Sequence, residues 1–238
     1  MTQKIKFVSI TEDSYENDLK PSPASNWIPE WFKKIPKERH NPNPMFPTSR
    51  SNSTIKKCTP YLDALTTGYM YVLPFDIEVT LDADGEKRLV WGPLRNGSDV
   101  LEIESSIRID GVPIPKEFDQ YAWRFLNNPS IDTPKGYSVL ITHPLNRQDL
   151  PFLTLSGVID SDNFYMPMAI TFFLKKDFVG ILPKGTPLAQ ILPFKRVDWT
   201  HEVTPPLPKK EKDSWEFKLR SVINRSYSKQ FWSRKSYK

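Results

Sequence analysis

Residues 157–190 read GVIDSDNFYMPMAITFFLKKDFVGILPKGTPLAQ. Two short signals bracket this stretch: Gly157-Val158-Ile159-Asp160-Ser161-Asp162 at its start and Gly185-Thr186-Pro187-Leu188-Ala189-Gln190 at its end. The first is an apolar run that stops on two carboxylates; the second leaves a turn and enters a new apolar run. Between them, Lys175-Lys176-Asp177 and Pro183-Lys184-Gly185 cut the apolar residues into strand-sized lengths. Apolar strands joined by tight turns predict a mainly β fold of jelly-roll or barrel type. Core strands are expected over 153–159, 168–174, 178–182 and 188–194.

Outward from this core the pattern loosens. Tyr137 to Ile141 is a further apolar strand, leading into THPLNRQDLPF. Tyr61 to Val79 predicts a strand pair, with Tyr69, Tyr71, Ile77 and Val79 alternating around Leu73-Pro74-Phe75-Asp76. Residues 82–133 form an insertion with turn dipeptides at Asp84-Gly85 and Asn96-Gly97. Asp110-Gly111, between ESSIRI and VPI, predicts a two-residue hairpin, and Phe118 to Phe125 a short helix. Residues 1–60 form a Pro-rich arm in which Trp27, Ile28, Trp31 and Phe32 predict a helix of about two turns, capped by Ser25 or Asn26. The segment from His40 to Ser53 reads as a loop. After Asp198, the linker PPLPKK precedes a capping-box start at Asp213-Ser214-Trp215-Glu216. Leu219, Ile223, Tyr227 and Phe231, with Trp215 and Val222, then mark an amphipathic basic helix of about five turns. The expected units are an arm over 1–60, a β domain over 61–200 and a linker with helix over 201–238.

Composition sets the class. The chain has 238 residues, 38% of them hydrophobic, enough for a real core and too apolar for wholesale disorder. Its 23 prolines against 9 glycines favour short strands and ordered loops over long helices. The single Cys58 forms no intramolecular disulfide, which points to a reducing compartment. The start, MTQKIKFVSITEDS, lacks a signal-peptide apolar run, and no segment approaches the roughly 18 apolar residues of a membrane span. A soluble, intracellular protein is expected. Between Lys209 and Lys238, ten Lys and Arg face three acidic residues, a balance of +7, so the rest of the +5 chain sums to −2. The basic character belongs to the tail.

At these motifs the chain resembles the trimeric dUTPase superfamily, over roughly residues 61–197. The family's third motif, Gly-Val-Ile-Asp-x-Asp-Tyr, matches Gly157 to Asp162, with Asn163 in place of the stacking Tyr and Phe164 one position late. The fourth matches Gly185, Ala189 and Gln190. The first, Ala-Gly-Tyr-Asp-Leu, corresponds to Thr67-Gly68-Tyr69-Met70-Tyr71, so Met70 stands where the resemblance implies a magnesium-holding aspartate; a thioether is no ligand for that hard cation. The second motif's Arg-Ser pair has no direct counterpart in Thr142-His143-Pro144-Leu145-Asn146-Arg147, where only Arg147 offers a cation. The Gly-rich fifth motif is missing, since no glycine follows Gly185. WIPEWF, STIKKCTPYLDALTTGY, HPLNR and PKGTPLAQILPFKR also resemble a group of phage-encoded proteins, which implies a viral setting and a location in host cytoplasm or virion.

The candidate residues follow. Asp160 matches the carboxylate that, by the resemblance, orients sugar and attacking water. Asp162, Phe164, Gln190 and Arg147 are the nucleotide-binding candidates. The same residues have plainer readings: Asp160 and Asp162 ending a strand in an Asx turn, and Gln190 bonding neighbouring backbone. His40, His143 and His201 have no metal-ligand spacing, and no metal site is assigned. The expected function is a phage-type dUTPase-fold protein with degenerate catalytic motifs, acting in binding, assembly or structure. The alternative is a nucleotide diphosphatase or nucleotide-binding sensor with a rebuilt site, for which alone magnesium is expected. The resemblance implies a homo-oligomer, a trimer first. The aromatic arms suit a protein partner, and the tail suits packing better than nucleic acid; no membrane contact is expected.

Overall fold

A computed structural model describes residues 3–8, 20–39, 53–91, 100–126, 129–164, 166–167, 169–221 and 226–238. Most of the loop expected from His40 to Ser53, the Asn96-Gly97 turn, Val222, Ile223 and the Leu219 side chain lie outside the described residues. The strands are β1 Lys6–Val8, β2 Ser22–Pro23, β3 Tyr69–Val72, β4 Ile77–Leu81, β5 Lys87–Trp91, β6 Leu101–Ile103, β7 Trp123–Phe125, β8 Ser130–Asp132, β9 Tyr137–Thr142, β10 Phe152–Thr154, β11 Gly157–Ile159, β12 Ile170–Leu174, β13 Gly180–Leu182 and β14 Pro187–Lys195. The α-helices are α1 Glu30–Lys34, α2 Thr59–Thr66, α3 Ser106–Ile109, α4 Lys209–Ser221 and α5 Ser226–Gln230.

The fold is mainly β and its strand pairings are antiparallel. A five-stranded sheet runs β11-β9-β14-β3-β2, a four-stranded one β10-β12-β7-β6 and a three-stranded one β13-β4-β5, with β1 paired to β8. Among the described residues these sheets do not close on one another through a shared hydrogen-bonded edge. They share one core instead: Tyr71, Val79, Leu89, Phe125, Val139, Phe152, Phe172, Leu182 and Ile191 come from different strands and all reach it. In β4 the period-two rule is visible, with Ile77 and Val79 buried and Glu78 exposed between them. In β12 both faces are covered, because Phe172 enters the main core while Phe173 joins Ile109, Phe118 and Ala122 on the other side. Among the described residues Lys87, Glu104, Asp119 and Arg147 are buried charges, and Lys87 donates to Asp119 at 2.8 Å and to the Lys175 carbonyl.

Several elements differ from expectation, each for a physical reason. Tyr61 lies in α2, not in a strand, since Pro60 in the first turn favours a helix start there. β3 and β4 do not form a hairpin; β3 pairs with β14 and β2, and β4 with β5 and β13. The bend between them at Leu73 is bonded instead to the Thr186 turn. Ser106 to Ile109 is a helical turn, so Asp110-Gly111 closes α3 rather than joining two strands. The expected helix at 118–125 is β7, because Trp123 and Phe125 pair with β12 and fill the core. The strand expected over 153–159 divides into β10 and β11. In the arm, Pro29 has no N–H and holds Ile28 extended, so the two-turn helix is split into a 3-10 turn, Ala24–Trp27, and α1. Neither Ser25 nor Asn26 caps it. In the tail, α4 starts at Lys209, with the Pro208 carbonyl accepting from Glu211 and Lys212, ahead of the expected start at Asp213.

The arm's β2 edge strand is set by one glycine. Ala24 donates to the Gly68 carbonyl at 3.0 Å. Gly68 has a φ of +69°, and a Cβ there would lie 2.2 Å from the Ile191 carbonyl oxygen, so only glycine fits. The central β14 thereby gains cover on both faces: the core on one, and on the other the α2 and Trp27 side.

Candidate functional site

β11 ends at Ile159, and the chain turns at once, with Asn163 N–H donating to the Asp160 carbonyl at 3.0 Å. Both carboxylates meet Arg196, which follows the last residue of β14. Its guanidinium holds Asp162 in a bidentate pair, Nη1 to Oδ1 at 2.9 Å and Nη2 to Oδ2 at 2.5 Å. The Gly136 N–H adds a bond to Asp162 Oδ2 at 2.7 Å. Arg196 and the Gly136 amide together hold the Asp162 carboxyl down to about 2, and Asp162 in turn raises the Arg196 guanidinium. Asp160 is bound more loosely: Ser138 Oγ donates to Oδ1 at 2.7 Å and Arg196 Nη1 lies 3.3 Å from the same oxygen. Its side chain is 63% exposed, against 1% for Asp162. Asp162 is therefore a pin that joins the 133–138 segment to the end of β14. Asp160 is the carboxylate that solvent can reach.

Gln190 and Arg147 lie in a separate place, beneath α2. Gln190 is fully buried on β14. Its Nε2 donates to the Ala64 carbonyl at 3.0 Å and the Thr67 carbonyl at 2.7 Å, and its Oε1 accepts from the Leu145 N–H at 2.8 Å. One amide thus satisfies two carbonyls at the end of α2, which have no intrahelical donor, and one loop donor. Arg147 is buried too, and its Nε and Nη2 bond Asp149 at 2.9 and 3.0 Å. Burial alone would raise the Asp149 carboxyl; Arg147 outweighs it and the net direction is down. The Trp31 indole N–H is near enough to contribute to that lowering, yet it makes no bond of proper geometry. His143 braces the same loop. Its Nε2 pairs with the Arg147 carbonyl at 3.1 Å and its Nδ1 accepts from the Thr154 N–H at 3.3 Å, which requires the neutral Nε2–H tautomer. Burial pushes its pKa down, consistent with that state.

Asp160, Asp162 and Phe164 thus share one end of the β11 turn, while Gln190 and Arg147 belong to the loop cluster under α2. Phe164 is half-exposed and lines an apolar pocket with Ser161, Ile159 and Tyr71. Met70 is buried against Ala24, Val72 and Trp27. Magnesium does not fit this arrangement: Met70 is a core thioether, Asp162 is neutralised by Arg196, and no group of three or more His, Cys, Asp or Glu among the described residues is placed to hold a metal ion. Sequence reasoning missed Arg196, Ser138 and Gly136. Their signal was the pairing of β14 with β9, which sets Phe194 opposite Ser138 and carries Arg196 past Tyr137.

No family model matches the chain, and no curated protein does. Among solved structures the chain is similar to a point-mutant dUTPase from phage phi11 of S. aureus, described for its coordination of a structural Mg(II) ion, at 10% identity and a TM-score of 0.34, over 88% of this chain and 99% of that chain.

Proposed function

We propose that this chain is a dUTPase-fold protein, of jelly-roll or barrel descent, that no longer hydrolyses nucleotides and serves a phage as a binding or assembly component. The observation that carries it is the Arg196 clamp. The two carboxylates of the best-preserved motif face an internal guanidinium, and Asp162 is held in it as an ion pair. Gln190 and Arg147 are engaged likewise by backbone and by Asp149. Met70 in the core supports the same view. Purified protein incubated with each dNTP and Mg²⁺ is expected to release no pyrophosphate above a protein-free control. Robust turnover of any one of them overturns the proposal.

One observation favours a second reading, a nucleotide diphosphatase or nucleotide sensor. Asp160 remains largely exposed and adjoins an arginine, which is a workable start for phosphate or water orientation. Under that reading Asp160→Asn abolishes turnover or nucleotide binding and leaves the melting temperature almost unchanged. Calorimetry in which the wild type binds no nucleotide ends it.

We also propose a homo-oligomer, a trimer first, in host cytoplasm or virion. Its support is the exposed apolar set on the linker and tail: Trp199, Val203, Leu207 and Phe217 are each more than half exposed. No described helix is long and apolar enough to cross a membrane.

A further inference from the structure

Three segments that lie apart in sequence meet around α2. The end of the tail docks on it: Trp232 Nε1 donates to Asp63 Oδ2 at 2.8 Å, Lys235 Nζ pairs with the same oxygen at 2.6 Å, and the Tyr237 hydroxyl meets Thr67 Oγ1 at 2.9 Å. The arm reaches the same helix. The Phe32 ring of α1 stacks on Tyr61 at 5.8 Å, Lys56 Nζ donates to the Phe32 carbonyl at 2.7 Å, and the Thr54 N–H donates to the Lys37 carbonyl at 3.1 Å. Residues 30–39, 53–67 and 226–238 therefore form one contiguous surface region.

The side chains of this region are strongly unbalanced in charge. Ten Lys and Arg stand against Glu30, Glu38 and Asp63. Each of those carboxylates is already taken by a lysine: Lys33 holds Glu30 at 2.6 Å, Lys57 holds Glu38, and Lys235 holds Asp63. Lys34, Lys37, Arg39, Lys56, Lys229, Arg234 and Lys238 have no carboxylate partner among the described residues, and all but Lys56 are exposed. The region's balance of +7 exceeds the +5 of the whole chain, so the rest sums to −2. The basic character read in the tail is thus joined by six cations from the first 60 residues.

Like charges gathered at one surface repel one another, and a polyanion that meets them relieves this and releases its own counterions. Exposed Lys and Arg contact phosphates, which position a nucleic acid without reading its sequence. An anionic membrane would attract the same cations, but interfacial binding also needs apolar side chains that enter the acyl boundary. Among the described side chains of this region, Ile55 and Tyr227 are the only exposed large apolar ones, at 41% and 43%. Trp199, Val203, Leu207 and Phe217 lie outside it, on the linker and α4.

We propose that this surface of arm, α2 and tail binds the phosphate backbone of nucleic acid without sequence preference. The inference goes beyond the binding role proposed above and does not depend on the clamped carboxylates.

The test titrates full-length protein into two fluorescein-labelled DNA duplexes of unrelated sequence and follows anisotropy at several salt concentrations. Both duplexes are expected to bind saturably and equally at low salt. The logarithm of the affinity should fall against that of salt with a slope of about −4 to −6, the range of roughly four to seven phosphate contacts. Lys34→Gln with Lys37→Gln, and separately Arg234→Gln with Lys238→Gln, should each weaken binding about 10-fold and reduce the slope by about 2. Lys116→Gln with Lys184→Gln, exposed lysines of the β domain, should change neither. All six positions are exposed, so the melting temperature of each variant should match that of the wild type. Absence of saturable binding at low salt overturns the proposal. So does an equal loss from the Lys116 and Lys184 pair, which reports bulk charge, or a loss from the tail pair alone, which confines the contact to the tail. Association with phosphatidylserine vesicles at a salt concentration where neither duplex binds gives the surface to a membrane and overturns it too. Turnover of a dNTP, by contrast, ends the non-catalytic reading and leaves duplex binding standing, so the two failures are distinguishable.

Discussion

Gln190 illustrates how one side chain can carry more structure than a whole loop. Its amide closes the end of α2, fixes the start of the 145–149 loop and sits in the longest strand, with no exposure to solvent. Gln190→Leu keeps the volume and removes all three bonds, leaving two carbonyls and an N–H buried without partners. The expected loss is about 3 kcal/mol, from roughly 1 kcal/mol or more per orphaned group, measured as a lower midpoint in urea. Two further residues set the acid sensitivity. The Asp162 carboxyl has a folded value of about 2, below its ordinary 3.8, so its contribution is complete above 3.8 and is lost as pH falls from 3.8 towards 2. His143 is shifted the same way, below its ordinary 6.5, and as a base buried neutral it resists the protonation that the unfolded chain accepts. Its contribution is complete above 6.5 and is lost as pH falls below that value. Melting temperature should therefore decline in two stages on acidification. His143→Gln is expected to remove the upper stage and Asp162→Asn the lower; a single stage unaffected by either substitution contradicts the assignment.

At the scale of elements, the tail is the one with a choice of seat. Its last residues return to the body at α2 and β3: Trp232 Nε1 donates to Asp63 Oδ2 at 2.8 Å, Lys235 Nζ lies 2.6 Å from the same oxygen, and the Tyr237 hydroxyl meets Thr67 Oγ1 at 2.9 Å. The Tyr237 ring also stands edge-on to Tyr69 at 5.8 Å. Asp63 is the shared acceptor, so Asp63→Ala removes both tail bonds at once. Since Lys235 is solvent-accessible, the expected stability loss is small, about 1 kcal/mol or less. The readout is the environment of the Trp232 indole: its 19F or indole N–H resonance should move towards that of a free tryptophan, and an unmoved signal refutes the docking. Trp215 and Phe231, two members of the expected amphipathic stripe, meet with ring centroids 5.5 Å apart, while Trp232 and Tyr237 lie outside that stripe. The aromatic positions at 232 and 237 serve the extended end of the chain, beyond α5, and not a continuous helical stripe.

For the whole molecule, the sheets bury one core, yet the linker leaves Trp199 87% and Val203 91% exposed in the isolated chain. Apolar surface of that kind is ordinarily covered by a second copy or another partner. Light scattering is expected to give a mass near three times 27.7 kDa for the full-length chain. A chain ending at residue 198, which lacks Trp199, Val203 and the tail, should give a smaller species. A full-length monomer refutes the trimer, and a trimer that survives the deletion moves its interface to the β domain.

The local grammar of strands and turns was legible in the sequence: apolar runs cut by Lys175-Lys176-Asp177 and Pro183-Lys184-Gly185 are strands and turns, because burial and backbone geometry at those sites depend on near neighbours. Pro29 splitting the arm helix and Gly68 permitting the approach of β14 are also properties of single residues, readable once their neighbours are known. Partners distant in sequence were not legible. Nothing local pairs β3 with β14 across more than a hundred residues, brings Arg196 to Asp162, or sets Gln190 under Ala64 and Thr67. Those contacts depend on register between strands, and register is decided by which faces the assembled core can bury. The motif residues were therefore visible from the chain alone. That Asp162, Gln190 and Arg147 are turned inward onto protein groups, while Asp160 stays open to solvent, was decided only by the tertiary structure.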